Sequence, residues 1–443
     1  MLEKRPAKSA QPSSGKMPDM SALRPQKNGR PYILMLTPYV PYPPVSGGRS
    51  RTFNLVKRLA RDYVITLVSF ARPEERAFDI SPLEEFCEVH LINRPSSPSK
   101  LQALMLSLTS PRPITMRLYH TREFKETIAT LLRVRLYDLV HVESFYMLQN
   151  LPRNLKVPVF LSEPAIEYIA WARHARVAEP WIQRPAIALE ALKMRLFEPR
   201  TWRKVTAVGA MSDVDAAIMK KIAPKAAVKL SPNGVDVDYF KPSTIRREPE
   251  NALFMGDYKY FPNEDAVLYF MREIMPIIKQ KRPTFTLTLL GKDPTPALRA
   301  IAENPAAGLR IMGLVDDTRP YLNRASLFVC PLRSGSGTRF KLLEALACGC
   351  PVVSTALGAE GLGAQHGRHL MLADEPESFA NAVLTLLNDS EEAARIARHG
   401  RNWVVDRHSW SRSAAMLSDT YLSLIGSEDL TAMSPSNRRA RTR

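Results

Sequence analysis

Four cysteines in 443 residues, Cys87, Cys330, Cys348 and Cys350, are too few to staple a fold. All four lie in apolar runs, and Cys348-x-Cys350 has neither the spacing nor the second pair of a zinc knuckle, so they read as packing residues. No apolar run approaches the roughly 20 residues that cross a bilayer. The first thirty residues lack the apolar centre of a secretory signal, which predicts a cytoplasmic protein. Acid is scarce as well: 44 Asp and Glu stand against 62 Lys and Arg, a net charge of +18. No basic helix-turn-helix, RNA-binding sheet motif or zinc finger accompanies that excess, so nucleic acid is not the expected partner. An anionic membrane surface or an anionic nucleotide substrate fits the charge.

The length suits two domains of about 150–200 residues each. Residues 1–30 and 427–443 are rich in Lys, Arg, Ser and Pro, with little to bury, and predict disordered basic tails. Between them the chain alternates strand and helix. Pro31–Pro38 reads as a buried strand, Tyr39–Gly48 as a proline-stiffened loop ending in Gly47-Gly48, Arg49–Arg61 as a helix, and Tyr63–Phe70 as the next strand. Tyr137–Glu143 predicts a strand that puts His141 and Glu143 on one face at period two. The stretch Lys100–Arg135 interleaves Leu101, Leu104, Met105 and Leu108 with lysines and arginines; it is the best local candidate for a membrane-facing or acceptor-facing patch, or else an ordinary solvated helix pair. The turn-rich Ser231-Pro232-Asn233-Gly234-Val235-Asp236 reads as a hinge, after which the alternation resumes, with a helix predicted over Asn263–Lys279 and Asn263 at its N-cap.

The most informative stretch is Pro331–Thr355, PLRSGSGTRFKLLEALACGCPVVST. It predicts a strand, a glycine loop, a helix from near Thr338, a C-cap at Gly349, a stop at Pro351 and a strand from Val352. A glycine loop feeding a helix N-terminus gathers free N–H groups and the positive end of the helix dipole, which suits a phosphate. Arg339 and Lys341 add cations where the dipole disfavours them, and an anionic ligand offsets that cost. Glu344 lies seven residues past Gly337, roughly 10 Å along a helix rising about 1.5 Å per residue, about the span from a diphosphate to a ribose. The plainer alternative is a surface helix with a Lys341–Glu344 pair at i, i+3.

Taken in order, Gly47-Gly48, Pro232-Asn233-Gly234-Val235-Asp236, Gly256 with Pro262-Asn263-Glu264-Asp265-Ala266, Gly291, Gly313, Gly337-Thr338-Arg339-Phe340-Lys341-Leu342-Leu343-Glu344-Ala345 and Gly349-x-Pro351-Val352-Val353 resemble the group 1 (family 4) GT-B glycosyltransferases. The GSGTRxKxLEA form is similar to the subgroup tied to exopolysaccharide synthesis in exosortase-bearing bacteria. The resemblance covers roughly Pro31 to Ile425. It implies an α/β fold with two Rossmann-like domains facing across a cleft: an N-terminal acceptor-side domain over 31–231, with a C-terminal helix over 409–426 packing back on it, and a donor-binding domain over 232–408. It implies a hexosyltransferase with a nucleotide-diphosphate sugar as donor, a lipid-linked or oligosaccharide acceptor, retention of configuration, peripheral contact with an anionic membrane, and no metal or other cofactor. Gly256, Lys259, Gly337, Arg339 and Lys341 would hold the diphosphate from one side and Gly47 and Gly48 from the other. Gly313 and Val315 would read the base, and Glu344 the ribose. Ser336 stands where the family has its first motif glutamate. Glu143, with His141, stands where it often has a histidine, and Pro164-Ala165 precede Glu167 where close relatives carry His-Asn. His141, Glu143 and Ser336 are therefore the catalytic candidates. A sugar-nucleotide epimerase of the same fold and a catalytically decayed nucleotide-sugar binder are the competing readings.

Overall fold

The computed structural model describes residues 29–177, 181–335 and 337–432. Residues 1–28 and 433–443 of the predicted tails lie outside these. Within the second predicted tail the last helix continues past Gly426 to Ala432.

Two parallel sheets organise the chain. The first holds β1 (Tyr32–Thr37), β2 (Val64–Ala71), β3 (Glu88–Asn93), β4 (Leu139–Glu143), β5 (Val159–Glu163), β6 (Ala207–Ala210) and β7 (Val228–Leu230), in the order β3-β2-β1-β4-β5-β6-β7. The second holds β8 (Glu248–Met255), β9 (Thr286–Leu290), β10 (Leu309–Gly313), β11 (Ala325–Cys330), β12 (Val352–Ser354) and β13 (Met371–Leu372), in the order β10-β9-β8-β11-β12-β13. Helices cover both faces, which is why strands such as VITLVSFA and ASLFVC are apolar along almost their whole length rather than alternating. All four cysteines are buried and free, packed as the apolar context predicts. Among the described residues no helix is long and apolar enough to cross a membrane.

In each sheet the strand order reverses at one point, between β1 and β4 in the first and between β8 and β11 in the second. Loops diverge there at the carboxyl ends of the strands and leave a crevice, the usual ligand position of open α/β sheets. Gly47-Gly48 follow β1, Gly256 follows β8, and the Ser334–Arg339 loop follows β11, so the glycine loops fall at the two switch points.

The chain passes between the sheets twice, and the two crossings run side by side. The Val235 amide donates to the His408 carbonyl (2.7 Å) and the Trp410 amide to the Val235 carbonyl (3.2 Å). Gly234 is pressed on Trp410, whose backbone nitrogen would lie 2.8 Å from any added Cβ. Arg51, from the helix after the first glycine loop, donates to the Pro232 carbonyl, Asn233 Oδ1 and Ser231 Oγ at 3.0, 3.1 and 2.7 Å. The terminal helix Trp410–Ala432 then lies back on the first domain, burying Trp410, Leu417 and Tyr421 against Met35, Leu59 and Tyr63.

Two local expectations change. The first helix starts at Gly47 rather than Arg49 and takes in both glycines. The helix expected over Asn263–Lys279 starts at Phe261 and is broken by a π turn at Phe270–Ile274, with Pro276 just beyond it supplying no N–H to residue 272. Asn263 is not the N-cap; its side-chain amide donates to the Asp257 carbonyl at 2.9 Å.

Gly291 shows how tightly the second switch point is packed. Its φ is +128°, and a Cβ there would stand 1.8 Å from the Gly256 carbonyl oxygen. Both atoms are backbone, so no side chain can yield. Gly291→Ala should cost about 2 kcal/mol or more and lower Tm by roughly 4 °C or more, as read by thermal melting. An unchanged melt would show that the two loops do not pack this way.

Candidate active site

The helix Phe340–Ala347 is eight residues long, with Arg339 as N-cap in extended geometry. It is held by its apolar stripe: Leu342, Leu343, Ala345, Leu346 and Ala347 are all buried. Its end follows the sequence expectation. Gly349 has φ +66°, its amide bonds to the Leu346 carbonyl and that of Cys350 to the Ala345 carbonyl, closing the last turn before Pro351. At the other end, Gly335 (φ +104°) and Gly337 (φ +79°) turn the loop into the helix through conformations that favour glycine. The Leu342 amide donates back to the Arg339 carbonyl at 3.0 Å, whereas the Phe340 and Lys341 amides precede any acceptor of the helix and point from it. Ser336 lies outside the described residues.

The two cations of this helix start are desolvated. Arg339 is buried to 9% exposure beneath the glycine loop, so close that a Cβ on Gly335 would lie 3.2 Å from its Nη2 and 3.5 Å from the Tyr260 hydroxyl. Burial pulls its pKa down. Lys341 donates to Asn263 Oδ1 (2.7 Å) and lies 4.2 Å from the centre of the Phe254 ring. Burial, only partly countered by the neighbouring Cys330 and Glu344, lowers its pKa to about 8. Among the described residues no ion pair joins Lys341 to Glu344, so the plain surface-pair alternative does not describe this helix. The half-buried Glu344 has its pKa raised to about 7 by burial, against a smaller pull from Lys341. These are three ionisable groups held short of full solvation on one side of a cleft.

The first domain faces them. A Cβ on Gly47 would lie 2.7 Å from the Phe340 ring, so the N-terminal glycine loop meets the first residue of the C-terminal helix. Gly48 packs on the Tyr39 hydroxyl of its own domain. The Pro164 carbonyl lies opposite Gly337, 3.7 Å from where a Cβ would be. Arg173, in the helix Glu167–Val177, forms a fork with both Glu360 carboxylate oxygens (2.7 and 2.8 Å) and donates to the Gly335 carbonyl at 3.1 Å. A side chain of the first domain thus grips the glycine loop of the second directly.

Other predicted residues lie elsewhere. Gly256 bonds to the Leu290 carbonyl, Gly313 (φ +75°) accepts from the Gly291 amide, and half-buried Val315 packs on the C-terminal core, so all three line the carboxyl edge of the second sheet. Lys259 points to solvent, 76% exposed and paired with Asp293, and does not join Lys341. His141 and Glu143 do share a face, 3.2 Å apart, but both are inside the first domain. The second ring nitrogen of His141 is bonded to the Tyr421 hydroxyl, and Phe160 packs on the ring. With both nitrogens engaged and no exposed surface, His141 holds Glu143 and the terminal helix in place rather than meeting a substrate. Burial pushes the Glu143 carboxyl up, but His141, Arg51 and Ser162 outweigh it and the net shift is downward.

Residues that sequence reasoning missed are mostly partners of those it found. Arg51, Arg173 and Glu360 carry polar contacts of the site, beside Asn263, which the sequence picked out but as an N-cap; of the three, only Arg51 left a trace, a charged residue four before Leu55 on the buried face of its helix. The N-terminal carboxylates Glu163, Glu167 and Glu198 crowd together. Glu198 accepts from the Glu167 and Tyr168 amides, capping their helix, and burial raises its pKa to about 8. Glu163 accepts from Trp202 and the Phe145 amide, and burial with Glu198 nearby pushes it well up.

The Arg173 fork generates a test of closure. Arg173→Ala should shift the open–closed balance by roughly tenfold, about 1.4 kcal/mol, for loss of a half-exposed bidentate pair. An increased radius of gyration by small-angle scattering would report it, and Arg173→Glu with Glu360→Arg should restore compactness. If the single variant scatters like the wild type, the fork does not hold the domains together.

Comparison with known proteins agrees with this geometry. Residues 249–389 match the family model Glycosyl transferases group 1. A phosphatidyl-myo-inositol mannosyltransferase from Mycobacterium tuberculosis is 29% identical over 230 residues, 49% of this chain and 60% of that protein, so the match spans only part of each. Among solved structures, sucrose-phosphate synthase from Thermosynechococcus elongatus superposes with a TM-score of 0.67 at 18% identity, covering 90% of this chain and all of that one. Anabaena Alr3699/HepE in complex with UDP gives 0.60 at 14% identity, covering 88% and 100%. The fold is GT-B, and residues 249–389, in its second domain, are similar to the Glycosyl transferases group 1 family.

Proposed function

We propose that this protein transfers a hexose from a nucleotide-diphosphate sugar to a lipid-linked or oligosaccharide acceptor, the chemistry of surface or exopolysaccharide assembly, working at the cytoplasmic face of an anionic membrane. One observation carries the reading: Gly47 of the first domain lies against Phe340 of the second, at the helix start where Arg339 and Lys341 are desolvated. A diphosphate held there would recover the solvation those cations lack. When the sugar–phosphate bond breaks, negative charge grows on the diphosphate, and preorganised cations and N–H groups stabilise that charge more than they stabilise the bound donor. Leaving-group charge is then met by the chain's own groups, with no resident cofactor in the scheme.

Glu344, a part-buried carboxyl about one helical turn past the helix start, is the ribose ligand in this proposal. The UDP complex of the Anabaena neighbour supports a nucleotide donor, and the mannosyltransferase relative supports a hexose and a lipid-borne acceptor. Retention of configuration is the outcome that the family resemblance implies, and His141 and Glu143, tied into the core, offer no base against it. The epimerase alternative needs free carboxylates around the sugar, and Glu163 and Glu198 are already engaged with Trp202 and backbone amides. A screen of nucleotide-diphosphate sugars read by product mass, with the anomeric linkage assigned by NMR, tests the proposal. Donor binding without transfer to any acceptor would favour the decayed binder.

The pH dependence follows from the two part-buried groups. A carboxylate accepts the ribose hydroxyls, so kcat/KM for the donor should fall as pH drops below about 7 and Glu344 protonates. An ammonium meets the diphosphate, so kcat/KM should also fall above about 8 as Lys341 discharges. The profile for kcat/KM should be a narrow bell. Bound diphosphate raises the lysine, so the alkaline limb of kcat should move to higher pH.

Glu344→Gln should remove the acid limb and lower kcat/KM by roughly 10–100-fold, as for a lost hydrogen bond to a charged group. Lys341→Met should remove the alkaline limb. A wild-type profile in both variants would place the donor elsewhere.

A further inference from the structure

Tyr260 closes the loop that follows β8, and it is the one member of that loop whose polar atom is both unengaged and turned towards the donor helix. Its neighbours are occupied. Tyr258 is fully buried with its hydroxyl on the Leu290 carbonyl at 2.9 Å, and Lys259 is held outside by Asp293. Tyr260 stands 52% exposed, and its hydroxyl has no hydrogen-bond partner among the described residues. An exposed tyrosine is ordinary on a surface, but the position of this one is not. A Cβ on Gly335 would lie 3.5 Å from the Tyr260 hydroxyl and 3.2 and 3.6 Å from Arg339 Nη2 and Nη1. A phenol and a guanidinium therefore border the same point beside the glycine loop. Gly335 has φ +104°, a conformation that keeps any side chain of its own out of that point.

The phenol is carried on fixed backbone. The Tyr260 amide donates to the Asp257 carbonyl at 3.2 Å, the Asn263 amide to the Tyr260 carbonyl at 2.9 Å, and the Asn263 side chain to the Asp257 carbonyl at 2.9 Å. The same asparagine accepts from Lys341 at 2.7 Å, so one residue sets both the tyrosine and the lysine. Order along the chain says which part of a donor lies nearest. With the ribose at Glu344, the path back through Lys341 and Arg339 to Gly335 leads away from the ribose. The phosphate next to the ribose then falls at the helix start, and the sugar-bearing phosphate falls by Gly335. An uncharged O–H donor suits a phosphate oxygen that already faces a guanidinium, because it adds a hydrogen bond without crowding a second cation beside the first.

We infer that Tyr260 is a further donor-contact residue, whose hydroxyl donates to a non-bridging oxygen of the sugar-bearing phosphate beside Arg339. The inference rests on the proposed transferase and adds to its site a group from outside the glycine loop and its helix. In the transfer, the bond from the anomeric carbon to the phosphate oxygen breaks with its electron pair going to the diphosphate. The acceptor oxygen bonds to that carbon, and the acceptor proton leaves to the diphosphate or to water. Charge on the sugar-bearing phosphate rises as this happens, so the hydrogen bond from Tyr260 strengthens on the way to the transition state. Removing the hydroxyl should slow the chemical step as well as weaken binding.

Titration calorimetry on the full chain tests this with UMP, UDP, GMP and GDP, on wild type, Tyr260→Phe and Lys341→Met. In the base series that wild type prefers, Tyr260→Phe should weaken the diphosphate roughly tenfold, as for a lost hydrogen bond to a charged group, and leave the monophosphate unchanged. Its melting temperature should match the wild type, since the ring is kept and the hydroxyl has no protein partner. With the intact donor, kcat should fall as well, which a tyrosine that only shapes the loop would not produce. Lys341→Met should weaken monophosphate and diphosphate together. Unchanged diphosphate affinity and kcat in Tyr260→Phe, with Lys341→Met impaired, overturn the role of Tyr260 and leave the donor site standing. Equal losses of monophosphate and diphosphate in Tyr260→Phe also overturn it, because the hydroxyl would then meet the phosphate next to the ribose. A wild type that binds neither UDP nor GDP fails the transferase reading itself, and Tyr260 with it.

Discussion

Two cations sit at the wrong end of a helix, Arg339 out of water and Lys341 partly so, and the rest of the molecule is arranged around keeping them there. Arg339 caps the helix from beneath a glycine loop, and Lys341 is threaded between Asn263 and the Phe254 ring. Dipole and desolvation both oppose charge at that point, so the fold must hold it by packing. The buried stripe from Leu342 to Ala347 anchors the helix, Gly349 and Pro351 end it, and β11 and β12 flank it in the sheet. A stored electrostatic cost of this kind is released by a ligand of opposite charge, which is what distinguishes a binding site from a basic surface.

The second domain alone would leave that ligand half in water. Closing the first domain over it requires an approach of backbone to side chain that only glycine permits, and Gly47 meets Phe340 in that way. The hinge segment sets that approach. Its two strands of chain are bonded to each other at Val235, and Arg51 ties the first of them to the very helix that begins with Gly47. Arg51 therefore joins the first glycine loop and the crossing segment into one unit, and the Arg173 fork ties the two domains at a second place.

The sequence carried one side of each of these relationships. Gly349 as helix stop, the β-α-β alternation and the common face of His141 and Glu143 depend on neighbours a few residues away, and periodicity and turn chemistry read such neighbours well. What covers His141 was not readable, because Tyr421 lies 280 positions on and nothing in either segment announces the other. A histidine at a strand end looks the same whether it faces a cleft or a returning helix. Asn263 is the converse case. Its residue type fits an N-cap, but Pro262 already supplies a good first-turn residue, the helix begins at Phe261, and the asparagine side chain is free to serve Lys341.

The same limit explains why the buried side of the helix Arg184–Trp202 escapes any pattern-based reading. Helical periodicity identifies an amphipathic face but assumes that the apolar side is the buried one. Over Arg184–Trp202 apolar residues occur on both sides, and the assignment turns on Glu190 and Lys193, whose partners Ser107 and Ile114 lie far back in the chain. Burying a carboxylate is costly unless every lone pair finds a donor, and here a hydroxyl, an ammonium and an amide supply three. Glu190 and Lys193 share the buried side of the helix with Met194 and Trp202, and Leu192 and Leu196 are left on the other.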